Sequence, residues 1–218
     1  GIHRNFGFRL KDTSPFSEEV YFPEFVDTYF NASNEVKAML KSELVYTNYS
    51  SSDRDVVDAL YTQIYRDKIL SKRRLQLKPM SEVVQVSAND GGVRLQVANI
   101  ADQRLDEFVV DFVVLATGFR NLGSESPNEP YPQLLNQLAD KLKFENGFLS
   151  VDLDYRVKFR DEEQIEHAPL YLNGLCESSH GMGDAGSFSL LSLRSAAIFR
   201  SLKSRISNTK VVESNGDG

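Results

Sequence analysis

Hydrophobic positions recur along the chain with two different spacings, and the change between them divides it. Residues 1–30 carry many aromatics without a period and predict irregular structure, with a turn at Lys11–Pro15 and a break at Pro23. Residues 34–44 predict a short helix with Val36, Met39 and Leu40 on one face, and Tyr46–Ser52 reads as a polar loop. Ser52 with Asp55 resembles a capping box opening a stronger helix. In that helix Val56, Leu60 and Ile64, with Val57, Tyr61 and Tyr65, repeat at i, i+4 as one apolar face. From Val83 the period falls to two. Glu82–Ala88 and Val93–Ala98 flank Asn89-Asp90-Gly91-Gly92, a hairpin signal, and Phe108–Val110 predicts a third strand.

Farther on, apolar runs replace alternation. Phe112-Val-Val-Leu115, ending in Ala116-Thr-Gly118, predicts a strand buried on both faces, as in a parallel sheet. Leu134, Leu135, Leu138 and Leu142 mark an amphipathic helix, and Leu170–Gly174 a second short buried strand. After a loop at Cys176–Gly186, residues 188–202 are apolar nearly all round, which predicts a helix inside the protein. The tail from Ser207 is expected to fray. Helices, a meander and two buried strands together predict an α/β fold.

Composition narrows the class. The chain has 218 residues, 41% hydrophobic and 26% charged, enough for a substantial core. With 25 Lys and Arg against 31 Asp and Glu, its net charge of −6 lacks the electrostatic footprint of a general nucleic-acid binder. No apolar run reaches the ~20 residues of a membrane span. The lone Cys176 cannot form an internal disulfide, which favours a reducing, cytoplasmic setting. The chain opens on Gly1 without an initiator Met, and the expectation is a piece of a longer protein.

Most chemical motifs are missing. His3, His167, His180 and Cys176 show no metal-ligand spacing. There is no G-x-S-x-G elbow, and Cys176 reads as a buried structural thiol. The carboxylate pairs Glu18–Glu19 and Glu162–Glu163 are sequence neighbours, whose side chains seldom converge on one substrate. One G-x-G-x-x-G occurs, Gly181-Met-Gly-Asp-Ala-Gly186, but it follows a loop and not a strand, so it lacks the context of a dinucleotide-binding turn. The basic run Lys68, Lys72, Arg73 and Arg74 suits a helix C-terminus, with phosphate contact as the alternative. Two features remain. The small-small-Gly end of Asp111–Phe119 lets backbone approach a flat cofactor. Ser178–Ser189, before the apolar helix, supplies either capping groups or donors for an oxygen-rich ligand.

Five segments, in order, resemble the flavin-dependent N-hydroxylating monooxygenases of siderophore biosynthesis, the ornithine, lysine and diamine N-hydroxylases. Asp12-Thr-Ser-Pro-Phe-Ser-Glu-Glu-Val-Tyr-Phe-Pro23 is similar to the family's D-D-S-P-F-V-N-E-x-F-x-P. Thr47-Asn-Tyr-Ser50 matches T-N-Y-S, and Asp111–Phe119 matches D-x-x-x-L-A-T-G-Y. Asp154-Tyr-Arg-Val157 matches D-Y-R-V, and Ser179-His-Gly-Met-Gly-Asp184 with Phe188-Ser189 resembles T-H-G-L-S-D with a later L-S. The A-T-G motif recurs in several flavoprotein families; T-N-Y-S followed by H-G-x-x-D is far more specific.

The resemblance implies the C-terminal half of a flavoprotein with two dinucleotide-binding domains, a Rossmann-like parallel sheet plus meander and helices. It implies 1–80 as the remainder of an NADPH domain with substrate-facing helices, 81–110 as the meander, 111–206 as the return into an FAD domain, and 207–218 as a flexible tail. The cofactors it implies are FAD and NADPH, with O2 and a small amine as reactants, a homo-oligomeric whole enzyme and no catalytic base. By the same resemblance Glu18, Asn48 and Ser189 face the substrate, while Arg4, Tyr49, Thr117, Gly118, Asp184 and Ser189 face the cofactors. Arg4 would bind the NADPH phosphate, for which a guanidinium fork is suited.

Two departures stand out. Glu18 occupies a family asparagine position, and a carboxylate there favours a cation and repels a substrate carboxylate, pointing to a diamine-like substrate. Ser124 stands where a His or Pro follows the A-T-G motif, which reads as a loop change. The competing readings are another two-dinucleotide monooxygenase, of Baeyer–Villiger or flavin type, which would lack T-N-Y-S, and a non-catalytic remnant of the fold.

Overall fold

The computed structural model describes residues 1–123, 128–161 and 169–215. Its elements run β1 (Arg9–Leu10), α1 (Pro15–Glu18), α2 (Pro23–Asn31), α3 (Asn34–Leu44), β2 (Ser51–Ser52), α4 (Arg54–Ile69), β3 (Ser81–Asn89), β4 (Gly92–Asn99), β5 (Leu105–Val110), β6 (Phe144–Glu145), β7 (Phe148–Leu149), α5 (Glu177–His180), α6 (Met182–Gly186) and α7 (Phe188–Asn215). Short 3-10 turns lie at Glu19–Tyr21, Val45–Thr47 and Gln133–Leu138. The chain forms two compact units: residues 1–12 with 49–118, and 13–48 with 119–218. Boundaries at 80 and 110 cut across this division, because the helical excursion Thr13–Asn48 packs with the C-terminal segment.

In the first unit β1 and β2 pair in parallel, Arg9 with Ser51 and Leu10 with Ser52. The meander β3–β4–β5 is antiparallel throughout. Asn89 faces Gly92 across a two-residue turn, so the predicted hairpin forms at the predicted place. Alternation puts Leu95 and Val97 on one face of β4, where both are buried. Helix α4 begins one residue after the expected cap, at Asp53. Its apolar face is only partly covered: Val57, Leu60 and Ile64 are half-buried, while Val56, Tyr61 and Tyr65 are exposed. At its C-terminal end Asp67 is buried and accepts from Gln63 Nε2 at 2.7 Å and Arg74 Nη2 at 2.5 Å. Arg74's hydrogen bonds hold the Asp67 carboxyl below the usual range. One cation of the basic run therefore closes the helix end.

The largest departure from the sequence reading is Phe112–Gly118. It has no ladder partner among the described residues, and Phe112 and Leu115 are 88% and 80% exposed. A run apolar on both faces becomes a buried strand only with neighbours on both edges and layers on both sides. The first unit supplies neither.

The second unit holds the larger core, where Leu122, Leu135, Leu142, Leu149, Val151, Tyr155, Val157, Phe159 and Cys176 cluster. Leu142 bridges Phe159, Val151 bridges Val157, and Arg156 bridges Tyr171. The predicted strand at Leu170–Gly174 is reduced to that last bridge, with Leu170 and Leu172 packed on the core. In place of the predicted amphipathic helix, Leu134, Leu135 and Leu138 wind as a 3-10 turn, and Leu142 lies beyond it in the bridge to Phe159. The irregular reading of residues 1–30 holds only up to Ser14, where β1 is the sole named element; beyond it α1 and α2 each start on a proline, which is tolerated at a helix's first turn where no N–H partner is needed. The predicted loop Cys176–Gly186 contains α5 and α6. Helix α7 buries Leu190 but leaves Phe188, Leu193 and Phe199 exposed, so it is not enclosed as expected, and it continues to Asn215. Ser124, Glu162, Glu163, His167 and residues 216–218 lie outside the described residues.

Candidate functional site

The motifs of the second unit meet around one tyrosine. Tyr21 closes the 3-10 turn after α1, three residues beyond Glu18. Its hydroxyl donates to the Thr47 carbonyl at 3.1 Å. Its own carbonyl accepts from Ser189 Oγ at 3.4 Å. Asn48 follows Thr47 directly and caps the Val45–Thr47 turn, its N–H pointing back to the Val45 carbonyl. Thr47 is fully buried and donates through Oγ1 to Leu44 O at 2.7 Å, beside Met182 Sδ at 3.3 Å. Glu18, Asn48 and Ser189, 171 positions apart at the extremes of the sequence, are thus tied to one backbone junction while all three stay exposed. Sequence reasoning missed Tyr21 as the joint, although it lies inside the quoted Asp12–Pro23 motif.

Two glycines make that junction. Gly181 has φ +93°, a conformation L side chains rarely adopt, and packs on Phe25 and Tyr29. Gly183 sits on the Val20–Tyr21 backbone, where an added Cβ would fall 1.8 Å from Val20 O. Gly181 is the glycine of the H-G-x-x-D motif, and Gly183 fills its second variable position. The N-terminus of α7 follows, with Ser187 and Ser189 hydroxyls bonded to each other.

Behind the junction lies a buried polar cluster. Asp184 is fully buried, and its Oδ1 accepts from Tyr155 OH at 2.7 Å. Its Oδ2 faces Arg194 Nη1 at 3.3 Å. Arg194 also donates to the Asp184 carbonyl and, through Nε, to Asn173 Oδ1 at 2.9 Å. The His180 ring stacks on Tyr155 at 4.2 Å and meets Phe30 at 5.1 Å. Burial drives the Tyr155 phenol far above its ordinary range, so it remains a donor, while burial pulls His180 downward toward the neutral imidazole. Cys176 is a free buried thiol pushed up to about 12, mainly by burial, as a structural cysteine should be.

The candidates assigned to cofactors fall differently. Arg4, Tyr49, Thr117 and Gly118 all belong to the first unit. Arg4 is mostly in solvent, with Glu82 at 3.4 Å. Thr117 and Gly118 end the exposed apolar segment. Asp184 is turned wholly inward, which leaves its carboxylate no face toward a cofactor. A cavity of about 630 Å³ opens elsewhere in the second unit, beside Tyr29, Phe30, Lys37, Lys41, Glu145 and Lys158, and none of the three substrate candidates lines it.

Residues 2–121 match the family of L-lysine 6-monooxygenase/L-ornithine 5-monooxygenase. The L-ornithine N(5)-monooxygenase of Pseudomonas aeruginosa is 30% identical over 201 residues, covering 92% of this chain and 42% of that protein. The enzyme of the same name from Ajellomyces capsulatus is 28% identical, covering 88% and 40%. Among solved structures, the ornithine N-hydroxylase of Kutzneria sp. 744 in its form with reduced FAD, NADP+ and L-ornithine superposes with a TM-score of 0.79 at 28% identity, over 94% of this chain and 47% of that one. L-Lysine 6-monooxygenase from Pseudomonas syringae gives 0.69 at 30% identity, over 94% and 47%. The chain spans about two fifths of the length of the curated relatives it matches. Among the described residues no helix is long and apolar enough to cross a membrane.

Proposed function

The chain belongs to the L-lysine 6-monooxygenase/L-ornithine 5-monooxygenase family, and from that premise we propose that it forms the C-terminal half of an FAD- and NADPH-dependent enzyme that N-hydroxylates a primary amine for hydroxamate siderophore synthesis. The observation that carries the reading is the Tyr21 junction, which ties Asn48 and Ser189 to the turn beside Glu18. All three residues are exposed, and none is consumed by the core.

In this reading the chain's own residues bind and orient the amine. Asn48 offers an amide that both donates and accepts, and Ser189 a hydroxyl that can accept a hydrogen bond from an ammonium or donate one to a carboxylate. Glu18 places an exposed negative charge where a cationic end is held best, which favours a substrate amine end over a carboxylate end. The residues present also fit part of a dinucleotide site. Arg4 keeps its guanidinium largely in solvent, able to grip a phosphate, and Phe112–Gly118 offers an exposed apolar wall ending in small residues. Bound FAD and NADPH would supply the reducing electrons, with O2 as the source of the transferred oxygen and water taking its second atom. The Val20–Gly183 contact and the core behind it would exclude water from one side of the amine.

The test is a substrate panel on the complete enzyme carrying this chain, loaded with FAD and supplied with NADPH. Ornithine, lysine, putrescine and cadaverine are compared for amine-dependent NADPH oxidation and hydroxylamine formation. At least one amine should be hydroxylated, with the diamines favoured. A folded, flavin-loaded enzyme that yields hydroxylamine from none of the four overturns the proposal.

A further inference from the structure

Tyr155 and Asp184 come from two motifs twenty-nine residues apart, and the fold joins them in a place that touches no solvent. Three observations set this cluster apart from ordinary core. First, its charge is enclosed: Asp184 and Arg194 are both buried, and their pairing extends to Asn173. Burying a carboxylate and a guanidinium costs several kcal/mol per ion unless geometry returns it. An apolar core of equal volume would stabilise the unit as well. Second, Tyr155 is a bulky residue with φ +68°, in the left-handed region. Such strain persists only where surroundings over-determine it. Here the His180 ring stacks on one face and Asp184 holds the hydroxyl. Third, the cluster abuts a backbone-on-backbone approach that only a glycine permits. Asp184 follows Gly183, whose Cα rests on Val20 O, and Arg194 grips the Asp184 carbonyl from α7.

From these we propose that Tyr155, Asp184 and Arg194 are positioning residues: a buried lock that fixes the Gly181–Gly183 turn against Val20–Tyr21, and so sets the register between the Glu18–Tyr21 segment and Ser189. Tyr155 fixes Asp184 from the Asp152–Val157 turn. Arg194 fixes it from α7, the helix that carries Ser189 five residues earlier. With both ends held, the turn cannot slide along the Val20–Tyr21 backbone, and the hydroxyl of Ser189 stays over Tyr21 O. Asp184 therefore acts through the turn, by placing other groups, and not by touching a cofactor. Only the purpose of the register rests on the amine-hydroxylase reading; the lock itself does not.

The test uses Tyr155→Phe, which keeps the ring stack on His180 and removes only the hydroxyl. In the full 218-residue chain, backbone hydrogen exchange is followed at residues 18–22, with the β3–β5 meander as internal reference. Exchange at Val20 and Tyr21 should quicken about tenfold while the meander is unchanged. In the complete enzyme, KM for the amine should rise about tenfold with kcat within twofold, since the substrate groups are misplaced and not removed. Exchange confined to residues 150–157 and 176–186, with 18–22 unchanged, overturns the lock. So does a loss of kcat in step with the loss of folded protein at constant KM. If the parent enzyme hydroxylates no amine at all, the functional reading fails while the exchange result still decides the lock. Should Tyr155→Phe not fold, Arg194→Lys, which keeps the charge and loses the fork to Asn173 and the Asp184 carbonyl, supplies the same comparison.

Discussion

Replacing Gly183 by alanine should destabilise the second unit, against the usual sign for a helical glycine. In an ordinary helix, Gly→Ala gains about 1 kcal/mol from reduced backbone entropy. Here the new Cβ would lie 1.8 Å from Val20 O, 2.7 Å from Val20 C and 3.2 Å from Tyr21 Cα. All three are backbone atoms, so no rotamer change relieves the overlap. The two segments must part by more than an ångström, which breaks the Ser189–Tyr21 contact and loosens the Thr47–Met182 packing. Overpacking in a core costs about 1–3 kcal/mol, and a backbone-on-backbone clash belongs at or above the top of that range. Subtracting the entropic gain leaves a net loss of about 2 kcal/mol or more. The chain has no tryptophan, so far-UV circular dichroism in urea is the natural assay. At a slope of about 2 kcal/mol per molar urea, the transition of this unit should fall by roughly 1 M. Gly7→Ala is the control, because nothing lies within 4 Å of a Cβ there and the shift should stay within about 0.5 kcal/mol. A Gly183→Ala chain with the urea midpoint of the parent would refute the close-contact argument.

Three further outcomes follow from the same geometry. Tyr21→Phe removes the hydroxyl that holds Thr47 O, so stability should drop by about 1 kcal/mol; in the complete enzyme KM for the amine should rise with kcat nearly unchanged, and identical kinetics would remove Tyr21 from the junction. Glu18→Asn should move preference from diamine toward amino acid by about fivefold or more, the worth of one charge contact near 4 Å at water-like screening, about 1 kcal/mol; an unchanged ratio of kcat/KM for cadaverine over lysine contradicts the role given to that carboxylate. His180 is held neutral chiefly by burial, so its folded pKa lies below the unfolded value of about 6.5. The unfolded chain then takes up the proton first, and stability falls as pH drops below about 6.5 until the folded group titrates as well. Urea midpoints between pH 7.5 and 5 should show this slope in the parent and a flatter one in His180→Gln; equal slopes would assign the acid sensitivity elsewhere.

Local pattern sufficed where the forces are local. The β3–β4 hairpin formed at its turn residues because Asn89–Gly92 dictates both conformation and register. Helix α3 appeared over its predicted span, with Ser33 accepting from Val36 N–H at the cap. The family motifs were legible one by one, since each is a short stretch with its own composition. Prolines misled at the N-terminal end, where Pro15 and Pro23 open helices that a reading of Pro as a breaker discards.

What the linear chain could not disclose is which segments bury which. Hydrophobicity marks a demand for cover, not its supplier. Phe112–Leu115 and the outer face of α4 are as apolar as the residues of the core, yet they stand exposed because no described segment of their unit lies against them. The polar side is the mirror case. The family resemblance of the Ser179–Asp184 segment put Asp184 among the cofactor contacts. Only the approach of Tyr155 and Arg194, from 29 positions before and ten after, turned it inward. The sequence by itself determined the family, the hairpin and the main helices. Tertiary structure alone decided that Glu18, Asn48 and Ser189 hang on the backbone of Tyr21, because contacts between distant segments depend on how glycine-thin surfaces pack, and no spacing along the chain encodes that.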